Sequence, residues 1–258
     1  KESGKKALVY VTDWGSCVPL HTITDLVDVE HFRYGTDPFI WIEAAVHGQR
    51  YVHGHWITPA LDTYCVVVME SLSGMGDLIL HALGMQTASG QGTEAMRAPI
   101  LLIQSDQGKI KVASNSPTHY GMAQKHLLEK VWQSQMLPCP VGWTAHEDIA
   151  SPTKRDDQGN VRAEVAVGPT VLGMIGPLVA GHALTMHLAK YFVYTFRIKQ
   201  EPSLAGTVDH LLYTNRHKDG LYEGLATNRA PLGSKVPTVI KPANVVLALQ
   251  QIHELSTQ

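Results

Sequence analysis

The sequence predicts an α/β fold: a mostly parallel sheet flanked by helices, with antiparallel strands late in the chain. Three observations carry this expectation. The stretches ALVYVTD (Ala7–Asp13) and YCVVVME (Tyr64–Glu70) are apolar on both faces, as strands of a buried parallel sheet are. Helical patterns alternate with strand patterns in the first half. Each early strand ends in a carboxylate or another polar group, and that edge of an open α/β sheet is where ligands bind.

Taken in order, the first strand is Ala7–Asp13 and the second Tyr64–Glu70. Ile100–Ser114 reads as a hairpin turning at Ser105-Asp106-Gln107-Gly108. A helix follows, with Ser116 as its cap, Pro117 in its first position, and Tyr120, Ala123, Leu127 and Val131 on one face. CPVGWTAH (Cys139–His146) is a third strand with a polar end. Asp148–Val161 carries Lys154-Arg155-Asp156-Asp157 and Gly159 and reads as a surface loop. A Gly-rich apolar region runs to Gly181, and a helix is expected over Ala183–Lys190. Tyr191–Ile198, His210–His217 and Val236–Ile240 read as strands, and Pro242 opens a last helix with Val245, Leu249 and Ile252 on one face. The expected organisation is one domain over 1–258 with a hairpin insertion at 88–115.

Composition narrows the function. Of 258 residues, 44% are hydrophobic and 17% charged, which excludes a disordered or fibrous chain. The net charge of −2 argues against a strongly basic duplex-DNA binder. No run of 18 apolar residues occurs, so no membrane-spanning helix is expected. Lys1–Lys6 is not followed by a long apolar region and cleavage site, so no secretory leader is expected. Three widely spaced cysteines, Cys17, Cys65 and Cys139, do not form a disulfide framework and suit a reducing compartment.

Several segments in order resemble one superfamily. ESGKKALVYVTDWG resembles the stretch of RecA-like P-loop ATPases that follows the phosphate-binding helix, where a Gly-Lys turn enters a strand ending in an acidic residue. YCVVVMESLSGM resembles their Walker B strand, and VGWTAHED the strand that carries the polar sensor group in phage-encoded members. GPLVAGHALTMHLAKYF and GLATNRAP are also similar to that phage group. The resemblance implies an ATPase that binds ATP with Mg²⁺ as an oligomer and couples it to single-stranded DNA in recombination or annealing. It implies the host cytoplasm as the location, with other phage proteins as possible partners.

By the same resemblance, Glu70 takes the Walker B position with Ser71 after it. Asp13 is the acid that activates water, His146 and Glu147 sense the γ-phosphate or the nucleic acid, and Arg229 reaches a neighbouring subunit's nucleotide. The chemistry suits these residue types, because phosphoryl transfer needs positioning and charge neutralisation. Two departures stand out. The usual Walker B residue is Asp, and the extra methylene of Glu70 moves the carboxylate by about 1.5 Å, enough to matter for rate. No G-x-x-x-x-G-K-[ST] occurs in the 258 residues, so the pattern places the phosphate loop before Lys1. These departures motivate an alternative, a non-catalytic assembly component, for instance of a virion, on the same fold.

A third reading comes from the 14 histidines. His53 and His55 lie on one side if their segment is a strand, and His47 adds a third metal ligand for a hydrolase. The stretch Phe39–His47 is superficially similar to zinc carboxypeptidases, which need Glu three residues after the first His; that position is Arg50. The plainer reading is an exposed connector. For Asp13 and Glu70 the plain alternative is a strand-end carboxylate capping the next helix. Lys154, Arg155 and Arg162 are balanced by Asp156, Asp157 and Glu164, as in a solvated loop.

Overall fold

The protein is described from a computed structural model covering residues 4–33, 36–88, 100–105, 108–113, 115–150, 153–155, 161–163, 173–179, 188–203, 206–219, 222–228 and 236–256. It is mixed α/β and divides into two compact units, Lys1–His146 with Leu178–Leu184, and Glu147–Pro177 with Thr185–Gln258.

In the first unit, strand β1 (Lys6–Val11) leads into a short helix α1 (Trp14–Leu20) and returns as β2 (Val27–His31). Helix α2 (Pro38–Val46) starts where the Asp37 carboxylate accepts the Phe39 N–H at 2.8 Å, with Pro38 in the first turn. A tight hairpin joins β3 (Arg50–Val52) to β4 (His55–Ile57). Its turn holds two positive φ values, 49° at His53 and 89° at Gly54, as a type I′ hairpin turn requires. Strand β5 (Tyr64–Glu70) and helix α3 (Leu72–Ala88) follow. Strands β6 (Ile100–Ser105) and β7 (Gly108–Ala113) pair as an antiparallel hairpin in register from Ile100↔Ala113 to Ser105↔Gly108. Helix α4 (Pro117–Ser134) and strand β8 (Val141–Trp143) complete the unit.

Four of these strands form one parallel sheet in the order β2-β1-β5-β8. The pleat sends alternate residues to opposite faces. Val9 and Val11 join Val27 in one cluster, against which Leu20 of α1 packs. Leu8, Tyr10, Val67 and Met69 are buried on the other face. There Tyr10 meets Trp41 of α2 edge-on at 6.2 Å, and its hydroxyl donates to the Gln49 carbonyl at 2.7 Å. β1 is buried on both faces from Leu8 to Val11, and β5 buries Tyr64, Val67 and Met69 with Val66 and Val68 partly covered, which suits their nearly continuous apolar runs.

Charges are drawn inward at β2. Arg50 donates to Glu30 at 2.8 Å and to Asp28 at 2.9 Å, while Tyr64 and Lys6 donate to Asp28 at 2.8 and 3.0 Å. Glu30 is buried. Burial raises the Asp28 carboxyl, but the hydrogen bonds from Tyr64 and Lys6 and the Arg50 charge outweigh it, so its pKa falls below the ordinary value.

The second unit opens with β9 (Glu147–Ala150) and the hairpin β10 (Thr153–Arg155) with β11 (Val161–Ala163). It continues through β12 (Gly173–Pro177), β13 (Tyr194–Thr195), β14 (Arg197–Pro202), β15 (Val208–Tyr213), β16 (His217–Asp219), β17 (Tyr222–Gly224), β18 (Thr227–Asn228) and β19 (Val239–Ile240) to helix α5 (Val245–Ser256). One sheet runs β16-β17-β12-β9 and another β14-β15-β19, with β13 paired to β18. Leu212, Ile240 and Ala248 form a core under α5. Arg197 is buried and holds β14 to its neighbours. It donates to both oxygens of Glu147 at 2.6 and 3.1 Å, and stands 2.8 Å from Asp219 and 2.7 Å from His217 Nε2. The His217 ring lies flat on Tyr213, 3.6 Å between centroids. A Cβ on Gly224 would fall 2.3 Å from that ring, so glycine alone fits beside it.

Several sequence expectations need correction. The third strand is only Val141–Trp143, because Pro138 and Pro140 lack ladder donors. Tyr120 is exposed on α4 and His119 takes the buried position, its Nδ1 accepting the Ser116 N–H at 3.1 Å. The polar loop over Asp148–Val161 contains β10 and most of β9, since a strand rich in charged residues reads like a loop. The stretch His210–His217 breaks after Tyr213 and resumes at His217. The last helix starts at Val245 with the Asn244 side chain capping Leu247 N at 3.0 Å; Pro242 precedes it after a cis bond. Val245 and Leu249 are largely exposed, and Ala248 and Ile252 make the buried face. Most of the helix expected over Ala183–Lys190 lies outside the described residues, and Leu188–Tyr191 forms a 3-10 turn.

Replacing Arg50 with alanine strands the Glu30 carboxylate, so urea unfolding should show a loss of about 3 kcal/mol; an unchanged midpoint contradicts the network. Burial and the Arg197 charge hold His217 below its ordinary pKa. Its neutral form is the folded one, so its contribution is present above about pH 6.5 and is lost as pH falls and the unfolded chain takes the proton. Thermal unfolding should therefore show a midpoint that drops from pH 7.5 to 5.5, and His217→Gln should flatten that slope.

Candidate functional site

The chain leaves β1 to one side, towards β2, and later returns to the other side, to β5 and then β8. The sheet therefore has a topological switch point between β1 and β5. In open α/β sheets the ligand crevice lies outside the carboxyl ends of the strands at such a point. Thr12 and Asp13 leave β1 there, and Glu70 and Ser71 end β5.

Short bonds knit this edge. Thr12 N–H donates to the Glu70 carbonyl at 2.8 Å, and Ser71 N–H donates to Thr12 Oγ1 at 3.3 Å. Ser71 Oγ accepts the Gly74 N–H at 3.0 Å and so caps the first turn of α3. A Cβ on Gly74 would stand 2.1 Å from Thr12 Oγ1, so α3 can begin this close to β1 only with glycine there. The Glu70–Ser71 peptide is cis.

From the neighbouring strand, Thr144 Oγ1 donates to Glu70 Oε2. Thr144 also accepts the Leu72 N–H at 2.8 Å through its carbonyl and donates its N–H to Met69 at 3.1 Å. The longer side chain of glutamate is thus tied to the residue after β8. Ser73 Oγ accepts the His146 N–H at 3.0 Å and donates to the Leu178 carbonyl at 2.6 Å, while Leu178 N–H donates to His146 O at 2.6 Å. Burial raises the Asp77 carboxyl one turn into α3, partly offset by His146. At the end of β2, the His31 ring hydrogen-bonds the Asp13 backbone; burial lowers its pKa despite the nearby Asp13 charge.

The predicted residues divide accordingly. Asp13, Glu70, Ser71 and His146 gather at the carboxyl edge of the parallel sheet. Glu147 belongs to the second unit, where its carboxylate is clamped by Arg197. Arg229 lies outside the described residues. The histidine motif is not a strand with His53 and His55 on one side: His53 sits in the hairpin turn, His55 opens β4, and His47 ends α2 with its ring 2.8 Å from the Glu43 carbonyl. Among the described residues no three His, Cys, Asp or Glu side chains form a metal-ligand group. Thr12, Ser73, Gly74, Asp77 and Thr144 were not singled out from the sequence. The small-residue run Ser71-Leu72-Ser73-Gly74 after an acidic strand end was the available signal.

The oxygen donors at this edge are hard: the carboxylates of Glu70 and Asp13 and the hydroxyls of Thr12, Ser71 and Thr144. One or two carboxylates with hydroxyls suit Mg²⁺ shared with a phosphate ligand better than a soft metal. A separate cleft of about 390 Å³, lined by Phe39, Ile40, Glu43, Trp56 and His126 among others, contains none of these residues. No helix among the described residues is long and apolar enough to cross a membrane.

Comparison of the chain with protein-family models, with curated proteins and with solved structures finds no match.

Gly74→Ala should destabilise the protein by on the order of 2 kcal/mol, because overpacking against Thr12 outweighs the gain in helix propensity. Denaturant unfolding checks this, and a stabilised variant would contradict the close approach.

Proposed function

We propose that the first unit supplies the Mg²⁺ and water-activating side of an ATP site on a RecA-like core, coupled to single-stranded DNA recombination or annealing in an oligomer. The observation that carries this reading is the switch-point placement of Glu70. Its carboxylate ends the strand between the two others of the resemblance, β1 with Asp13 and β8 with Thr144 and His146. The three strands β1, β5 and β8 are thus neighbours, parallel, and end at one edge.

Within this reading Glu70 and Ser71 hold Mg²⁺, which neutralises phosphate charge when bound. Asp13 orients and deprotonates the attacking water, with His31 fixing the turn that carries it. His146, tethered through Ser73 to α3, reports on occupancy of the crevice. The phosphate loop is not found within residues 1–258, so its backbone donors would come from elsewhere in the assembled protein.

One observation favours the second reading, an assembly component without turnover. The Glu70 carboxylate is already engaged by Thr144, and a carboxylate held by protein is less available to a metal.

The two separate by experiment on the full-length gene product. Calorimetric titration should show ATP binding that requires Mg²⁺, with Glu70→Gln weakening it about tenfold or more. Asp13→Asn should keep binding and lower DNA-stimulated turnover by about a hundredfold or more. No binding at millimolar ATP overturns the ATPase reading and leaves the assembly component.

A further inference from the structure

Cys65 is the second residue of β5, and Cys139 stands two residues before β8. These strands are parallel, with Val67 opposite Val141. Two residues before that pair stand Cys65, where the β1–β5 register shifts, and Cys139, whose thiol feels the charge of Cys65. The pairing continues in that direction, because Val67 N–H donates to the Pro140 carbonyl at 2.9 Å. Pro140 also restrains Cys139 to extended backbone. Neighbouring strands lie about 4.8 Å apart, and disulfides span Cα separations of about 4.4–6.8 Å. Both thiols are free, Cys65 exposed and Cys139 half-buried. We propose that Cys65 and Cys139 form a reversible dithiol–disulfide site that crosslinks β5 to β8 under mild oxidation.

The oxidant is a low-molecular-weight disulfide such as glutathione disulfide. The exposed Cys65 thiolate attacks one of its sulfurs and releases one glutathione. Cys139 gives its proton to solvent and attacks the Cys65 sulfur, expelling the second glutathione. Two protein thiols and one S–S bond of the oxidant become one protein disulfide and two glutathione thiols. Burial, together with Cys65 beside it, pushes the Cys139 thiol up, which suits Cys139 as the resolving thiol and Cys65 as the entry point. The consequence falls on β8. That strand is only three residues long and pairs on one side alone among the described residues. A crosslink at its start pins it, and with it Thr144 against Glu70.

The test is titration of the folded chain with mixtures of oxidised and reduced glutathione, acid quenching, intact mass and peptide mapping. The expected product has a mass lower by about 2 Da for the two hydrogens lost. It keeps one of the three thiols, at Cys17, and slows amide exchange at Thr144. Cys65→Ser and Cys139→Ser should each abolish the crosslink, and Cys17→Ser should preserve it. A stable glutathione adduct at Cys65, heavier by about 305 Da, overturns the proposal. So does a bond that includes Cys17, a disulfide between two chains, or a crosslink that forms equally readily in denaturant.

Discussion

The first unit turns on the close approach of α3 to β1. Gly74 sits so near Thr12 that a methyl group would overlap the threonine hydroxyl. That hydroxyl is itself occupied, accepting the Ser71 N–H. The contact fixes where α3 begins, and so where Ser71 caps it and where Ser73 reaches the His146 backbone. Shifting α3 outward by the width of one methyl would loosen each of these bonds together. Three strand ends are thereby held to one helix by small residues instead of large ones, two of them followed or closed by a carboxylate, Asp13 and Glu70.

The direction change of the chain sets the switch point at that edge. Leu20 of α1 packs on the Val9 and Val11 face, while Tyr10 on the other face meets Trp41 of α2. A gap between diverging loops belongs to any doubly wound sheet. The residues placed there are two carboxylates and three hydroxyls, of which Thr12 and Ser71 accept backbone N–H groups and Thr144 donates to Glu70. The second unit is built on another principle, a buried guanidinium satisfied by two carboxylates and an imidazole.

The parallel strands were legible in the sequence because burial on both faces leaves a continuous apolar run, and β5 matches its predicted limits, Tyr64–Glu70. The strand-end acids Asp13 and Glu70 were legible for the same reason, since they interrupt such runs. Residues that act through hydrogen bonds were not. Nothing in the local pattern of Thr144 or Ser73 marks them, because their partners lie 74 and 105 residues away. The polar segment Asp148–Val161 misled for a related reason. Strands in small antiparallel pairs need few apolar residues, so composition alone resembles a loop. The histidine motif misled through periodicity, since a two-residue turn at His53 breaks the alternation that a strand would keep.

The carboxylates drawn inward at β2 also bear on self-association. An edge strand with open backbone groups is a template for another chain, and inward-pointing charge is one way proteins blunt it. Asp28 and Glu30, tied to Arg50, would have to be desolvated again or released for a foreign strand to dock beside β2. The opposite border ends in Val141, Gly142 and Trp143, with no charge in the strand. Among the described residues the two borders of the sheet are therefore unequal, and only the β2 border carries this charge.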